Sequence, residues 1–137
     1  MTRRFALLTA ALALLAACSN AAPSSPSPSQ SHRSSSPARI KITSPRNGEV
    51  IHGSSVPLRI SLEGARIVKP TTTNIDPRKG HVHVYLDGKI VSMNFALDAR
   101  VNKVTPGTHL LKVEFVASDH LPFDPRILDA TSFEVKK

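Results

Sequence analysis

Residues 81–86 read His-Val-His-Val-Tyr-Leu, an unbroken alternation. A period of two puts Val82, Val84 and Leu86 on one side of an extended chain and His81, His83 and Tyr85 on the other, which a helix cannot do. Asp87-Gly88 follows, a residue pair that favours a two-residue hairpin turn, and residues 90–95 supply the return strand. The same signature recurs elsewhere. Ile40 and Ile42 alternate before a Ser44-Pro45-Arg46-Asn47-Gly48 turn, and residues 56–62 put Leu58, Ile60 and Leu62 on one face. Thr105-Pro106-Gly107 turns into residues 109–116, where Leu111, Val113 and Phe115 share a face, and residues 132–135 close the series. No window sustains a helical period. About seven short strands with turns between them predict an all-β fold, an antiparallel β-sandwich.

The first 38 residues do not belong to that pattern. Arg3 and Arg4 precede an apolar run over residues 5–17. The run is shorter than the roughly 20 residues a membrane-spanning helix needs, and it suits a signal-peptide core. It ends in Leu15-Ala16-Ala17-Cys18, which resembles the lipobox of bacterial lipoproteins. That resemblance implies a leader of residues 1–17, acylation of Cys18 and a membrane anchor at the bacterial cell envelope, with the domain extracytoplasmic. In residues 19–38, thirteen of twenty positions are Ser or Pro, too little apolar surface for a core. Residues 18–38 are therefore read as the lipidated cysteine and a disordered tether spanning about 25 Å as a coil, with no site assigned to Arg33.

Residues 39–137 remain for one domain with a single core. Cys18 is the only cysteine, so that domain has neither disulfides nor thiolate metal ligands. Loss of Arg3 and Arg4 with the leader takes the formal charge from +8 to +6. The cations are scattered, and only six residues are aromatic, so a nucleic-acid platform is excluded. Weak attraction to anionic lipid or wall polymer fits the balance better, and the domain is expected to be a monomer.

Several segments together resemble bacterial immunoglobulin-like domains. They are Ile42-Thr43-Ser44-Pro45 with Asn47-Gly48, Val84-Tyr85-Leu86-Asp87-Gly88-Lys89, Pro106-Gly107-Thr108-His109-Leu110-Leu111-Lys112-Val113, and Phe133-Glu134-Val135. The resemblance covers nearly all of residues 40–136 and implies an immunoglobulin-like sandwich serving as a spacer, adhesin or binding module. It implies no chemistry, because such folds host many functions. The departures from the family pattern are His81-x-His83 and the segment Ser118-Asp119-His120-Leu121-Pro122-Phe123-Asp124-Pro125. Small exported bacterial proteins are similar in carrying both.

Histidines at i and i+2 on a strand project to the same side and can share one cation. Pairing residues 81–86 antiparallel to 109–116 sets His83 opposite Glu114, with the aliphatic residues on one buried face. Continued across the hairpin, that register sets His83 opposite Ser92 and His81 opposite Asn94, with the histidines on the solvated polar face and Met93 on the core side. The loops before and after these strands fall at one end of the sandwich, so His120 can approach His81, with Glu114 or Asp119 as a fourth ligand. Three imidazoles with an optional carboxylate and an open position suit zinc or copper(II). Free histidines titrate near 6.5, which predicts loss of metal below about pH 5.5. The competing reading is an envelope-protein or glycan contact through the loops at 71–80 and 119–127, with Asp76, Arg78, Asp119, Asp124 and Arg126 as its polar groups.

His109 follows Pro106-Gly107-Thr108 at the opposite end, where many sandwiches carry a tyrosine that bonds back to the backbone. It is read as structural. His81-x-His83 with Asp87 and His109 loosely echoes the two metal motifs of cupins, but the glycine spacing fails in both. No nucleophilic triad, phosphate-binding glycine loop or paired carboxylates stand out. The chain is read as non-catalytic.

Overall fold

The computed structural model describes residues 33–69, 74–94 and 96–137. The leader, Cys18, the tether to residue 32 and Thr71 lie outside the described residues. Nine strands are present among those described: β1 (Arg39–Ser44), β2 (Glu49–His52), β3 (Val56–Glu63), β4 (Arg66–Ile67), β5 (Lys79–Leu86), β6 (Lys89–Asn94), β7 (Asp98–Val101), β8 (Gly107–Ala117) and β9 (Pro122–Lys136). They form a three-stranded sheet, β1-β3-β7, and a six-stranded sheet, β2-β9-β8-β5-β4, with β6 also on β5. The strands beyond the expected seven are short pieces of two to four residues, too brief to show alternation. Two of them, β2 on β9 and β4 on β5, pair parallel, so the larger sheet is mixed rather than purely antiparallel.

One hydrophobic cluster draws on both sheets: Ile42, Val56, Leu58 and Ile60 from one, and Val82, Val84, Leu111, Val113, Phe115 and Phe133 from the other. Phe123 stacks on Phe115 with ring centroids 5.7 Å apart. The β5–β8 register sets His81 opposite Val116, His83 opposite Glu114 and Tyr85 opposite Lys112. This leaves the other side of β5 to its polar residues. Gly80, opposite Ala117, allows the close approach of β5 to β8. A Cβ there would overlap the Val116 carbonyl oxygen and lie 2.8 Å from Phe115 Cζ.

The Asp87-Gly88 turn is of the mirror-image hairpin type, with φ of 49° and 81°. Beyond it the register differs from that expected. A bulge between Val84 and Tyr85 leaves Val91 of β6 unpaired, so Val84 faces Ser92, His83 faces Met93 and Val82 faces Asn94. One extra residue reverses every side chain beyond it. Met93 therefore lies on the histidine face, half-exposed, and not on the core side.

A second irregularity shapes the end of β8. Phe115 pairs with Ile127, but Val116 pairs with Pro122, so residues 123–126 bow out of the ladder. Asp124 and Arg126 thus sit on β9, and the connection from β8 is the short turn of residues 118–121. Residues 33–38 also belong to the folded body, despite their tether-like composition. Asp124 N donates to the Ser34 carbonyl (3.1 Å), the Ser36 hydroxyl donates to the Pro77 carbonyl, and Ala38 is buried.

Candidate metal centre

Strand period and a tight turn together assemble three imidazoles. His81 and His83 project from the same side of β5 at its start. The β8–β9 turn is closed by His120 N donating to the Ala117 carbonyl and Ala117 N to the Leu121 carbonyl, each at 3.0 Å. His120 takes a left-handed φ of 65°, which non-glycine residues rarely adopt. That conformation returns its ring over β5.

The result is a convergence on one atom. His81 Nε2 lies 3.1 Å from His83 Nε2 and 3.0 Å from His120 Nδ1, and one nitrogen from each ring lies within 4.8 Å of the others. A neutral ring nitrogen carries either one hydrogen or one lone pair, so His81 Nε2 can form a full hydrogen bond with only one of its two neighbours. A shared cation suits the arrangement better. Nitrogens bound tetrahedrally at about 2.0–2.1 Å from zinc sit about 3.3 Å apart, close to these two separations.

His81 and His83 are buried, contrary to the solvated face expected, because the His120 turn covers them. Burial, then the neighbouring His120 and His83, pushes His81 from 6.5 down to about 4. Burial and His120 also lower His83, with Glu114 acting against them. Both rings are thus neutral near pH 7, with lone pairs to offer. Protons would therefore compete with a cation there only at a pH lower than free histidines suggest.

Glu114 lies opposite His83 but outside this cluster. Arg126 donates to both its oxygens at 2.6 Å, and the Tyr85 hydroxyl donates to Oε2 at 3.1 Å. Burial works to raise the Glu114 carboxyl, but the Arg126 bonds and charge outweigh it and hold it below the ordinary range. Lys112 rests over the Tyr85 ring, 4.0 Å from its centroid. Asp119 is likewise committed. Arg33 donates from Nη1 to Oδ2 (2.8 Å) and from Nη2 to Oδ1 (3.0 Å), while its Nε donates to the Pro122 carbonyl (3.1 Å). Sequence reasoning gave Arg33 no role, yet it ties down the turn that carries His120.

Of the polar groups assigned to a partner contact, Asp76 pairs with Lys79 at 2.9 Å and accepts from Arg78 N. Arg126 is committed to Glu114, and Asp124 is exposed on β9. His109 stands apart, as a fastening between turns. Its Nδ1 lies 2.7 Å from Asp87 Oδ2 and its Nε2 2.8 Å from the Thr105 carbonyl oxygen. Both partners are acceptors, so the ring donates from both nitrogens and is cationic. The Asp87 bond, with help from Thr105, accordingly raises its pKa against the opposing effect of burial.

The sequence matches no family model and no curated protein. Among solved structures, the chain is similar to the fibronectin(III)-like modules of Clostridium thermocellum CbhA. Identity is 24%, the TM-score is 0.50, and the alignment covers 71% of this chain and 94% of the module. The fold is an immunoglobulin-like sandwich. Lower likeness extends to an engineered protein (13% identity, TM-score 0.47) and to the endo-beta-1,4-mannanase from Thermotoga petrophila (11%, 0.47). Each alignment covers 73% of this chain and 20% of the other.

Proposed function

We propose that this immunoglobulin-like domain is a non-catalytic binding module that holds one metal ion, zinc or copper, through His81, His83 and His120. One observation carries the reading. His81 Nε2, on a ring that burial keeps neutral, stands within 3.1 Å of ring nitrogens from two other histidines. Three nitrogen ligands leave a fourth position to a weaker, exchangeable ligand, which allows delivery as well as storage. The basic start, apolar run and Leu15-Ala16-Ala17-Cys18 support an export signal and a lipid anchor at Cys18. The module would then work outside the cytoplasm, at the bacterial cell envelope, on a short tether.

Calorimetric titration of the full chain with Zn²⁺ and Cu²⁺ near neutral pH tests the site. Saturable binding of one ion per chain, abolished in His81→Ala/His83→Ala, is the expected result. Equal heats in both proteins would contradict the reading. Membrane fractionation of wild type and Cys18→Ala tests the anchor, with release of the variant into the soluble fraction expected.

A further inference from the structure

Resting on the metal reading of the histidine cluster, we infer that the ion the site favours is copper(I), with the Met93 thioether as its fourth ligand. The β5–β6 bulge places Met93 directly opposite His83 on the same face of the sheet. Directly opposed residues have Cβ atoms about 5 Å apart, and three rotatable bonds let a methionine sulfur swing toward its neighbour. The chain contains only two methionines, Met1 and Met93. Methionine commonly fills gaps in a core, whereas this one is 47% exposed beside a ring that is 6% exposed.

The charges around the cluster agree. Imidazole and thioether donors bring no negative charge to a bound ion. Glu114, opposite His83, is already matched by Arg126, and Asp119, next to His120, by Arg33. A site without a free carboxylate compensates a singly charged ion more readily than a doubly charged one, because the cost of burying charge rises with its square. Thioether sulfur is a soft, uncharged donor well matched to copper(I), while imidazole alone already suits zinc and copper(II).

Competition titrations on the full chain test this directly, with a chromophoric copper(I) chelator under anaerobic reducing conditions and a zinc chelator in parallel. Met93→Leu, close in volume and without sulfur, is expected to weaken copper(I) binding by roughly tenfold or more while zinc affinity stays within about twofold. X-ray absorption at the copper edge should show a sulfur scatterer in wild type that is missing in the variant. Unchanged copper(I) affinity in Met93→Leu, or an equal loss for zinc, would overturn the assignment. Wild-type binding of zinc without copper(I) would also overturn it, leaving the histidine site standing. Binding of neither metal would remove the metal reading itself.

Discussion

Acidification of the metal-free protein should weaken it well before its carboxylates titrate. His81 binds its proton at about 4 in the folded protein, against 6.5 when free. Between those values the unfolded chain carries more protons, so stability rises with pH. The contribution is complete above 6.5 and is lost as pH falls toward 4. Going from about pH 7 to about pH 5, this one group costs about 2 kcal/mol, at 1.36 kcal/mol per pH unit once 6.5 is passed. His83 is shifted the same way and adds to the loss. Urea unfolding of chelator-treated protein at the two pH values measures it. A fall in midpoint of roughly 1–2 M is expected for an m-value of about 1–2 kcal/mol/M. His81→Gln, which cannot titrate, should lose most of that slope. Stability that is flat over this interval, or a His81→Gln slope equal to that of wild type, would refute the burial argument.

Other perturbations act on parts of the fold that support the site. Gly80→Ala drives a methyl group into the Val116 carbonyl and the Phe115 ring and should destabilise by about 3 kcal/mol, at the upper end of overpacking costs, read as a fall in thermal midpoint. His109→Gln removes a cation bound by two acceptors, at a cost of about 1–2 kcal/mol, held low because Asp87 is half-exposed. Since binding raises the His109 pKa, that stabilisation is complete below 6.5 and disappears as pH rises through the folded value. Wild type and His109→Gln should therefore converge in stability at alkaline pH in the same unfolding assay. Arg33→Ala frees the Asp119 clamp and should lower metal affinity by about tenfold, measured by chelator competition, while changing stability by no more than about 1 kcal/mol.

How much of this could be read from the sequence depends on the range of the interactions involved. Strand alternation is local, so Val82, Val84 and Leu86 announce their buried face, and pairing that face with Leu111, Val113 and Phe115 fixes His83 opposite Glu114. The bulge at Val91 is different. Its one-residue insertion depends on how β6 pairs with β5, and no turn residue marks it. That single residue moves Met93 to the histidine face. Burial of the histidines was equally hidden, because it depends on the left-handed turn at His120 and on Arg33, a residue 86 positions from its partner Asp119. Composition gave the wrong picture of residues 33–38, since Ser and Pro are as useful for backbone contacts against a sandwich as for a flexible tether.

The central claim is that three particular nitrogens bind one ion. Long-range proton–nitrogen NMR correlations of the histidine rings, recorded with and without one equivalent of Zn²⁺, report on each nitrogen separately. The account predicts that His81 Nε2, His83 Nε2 and His120 Nδ1 take metal-bound shifts together, while His52 and His109 stay where they are. Shifts confined to His52 or His109, or three rings unmoved by the metal, would contradict it.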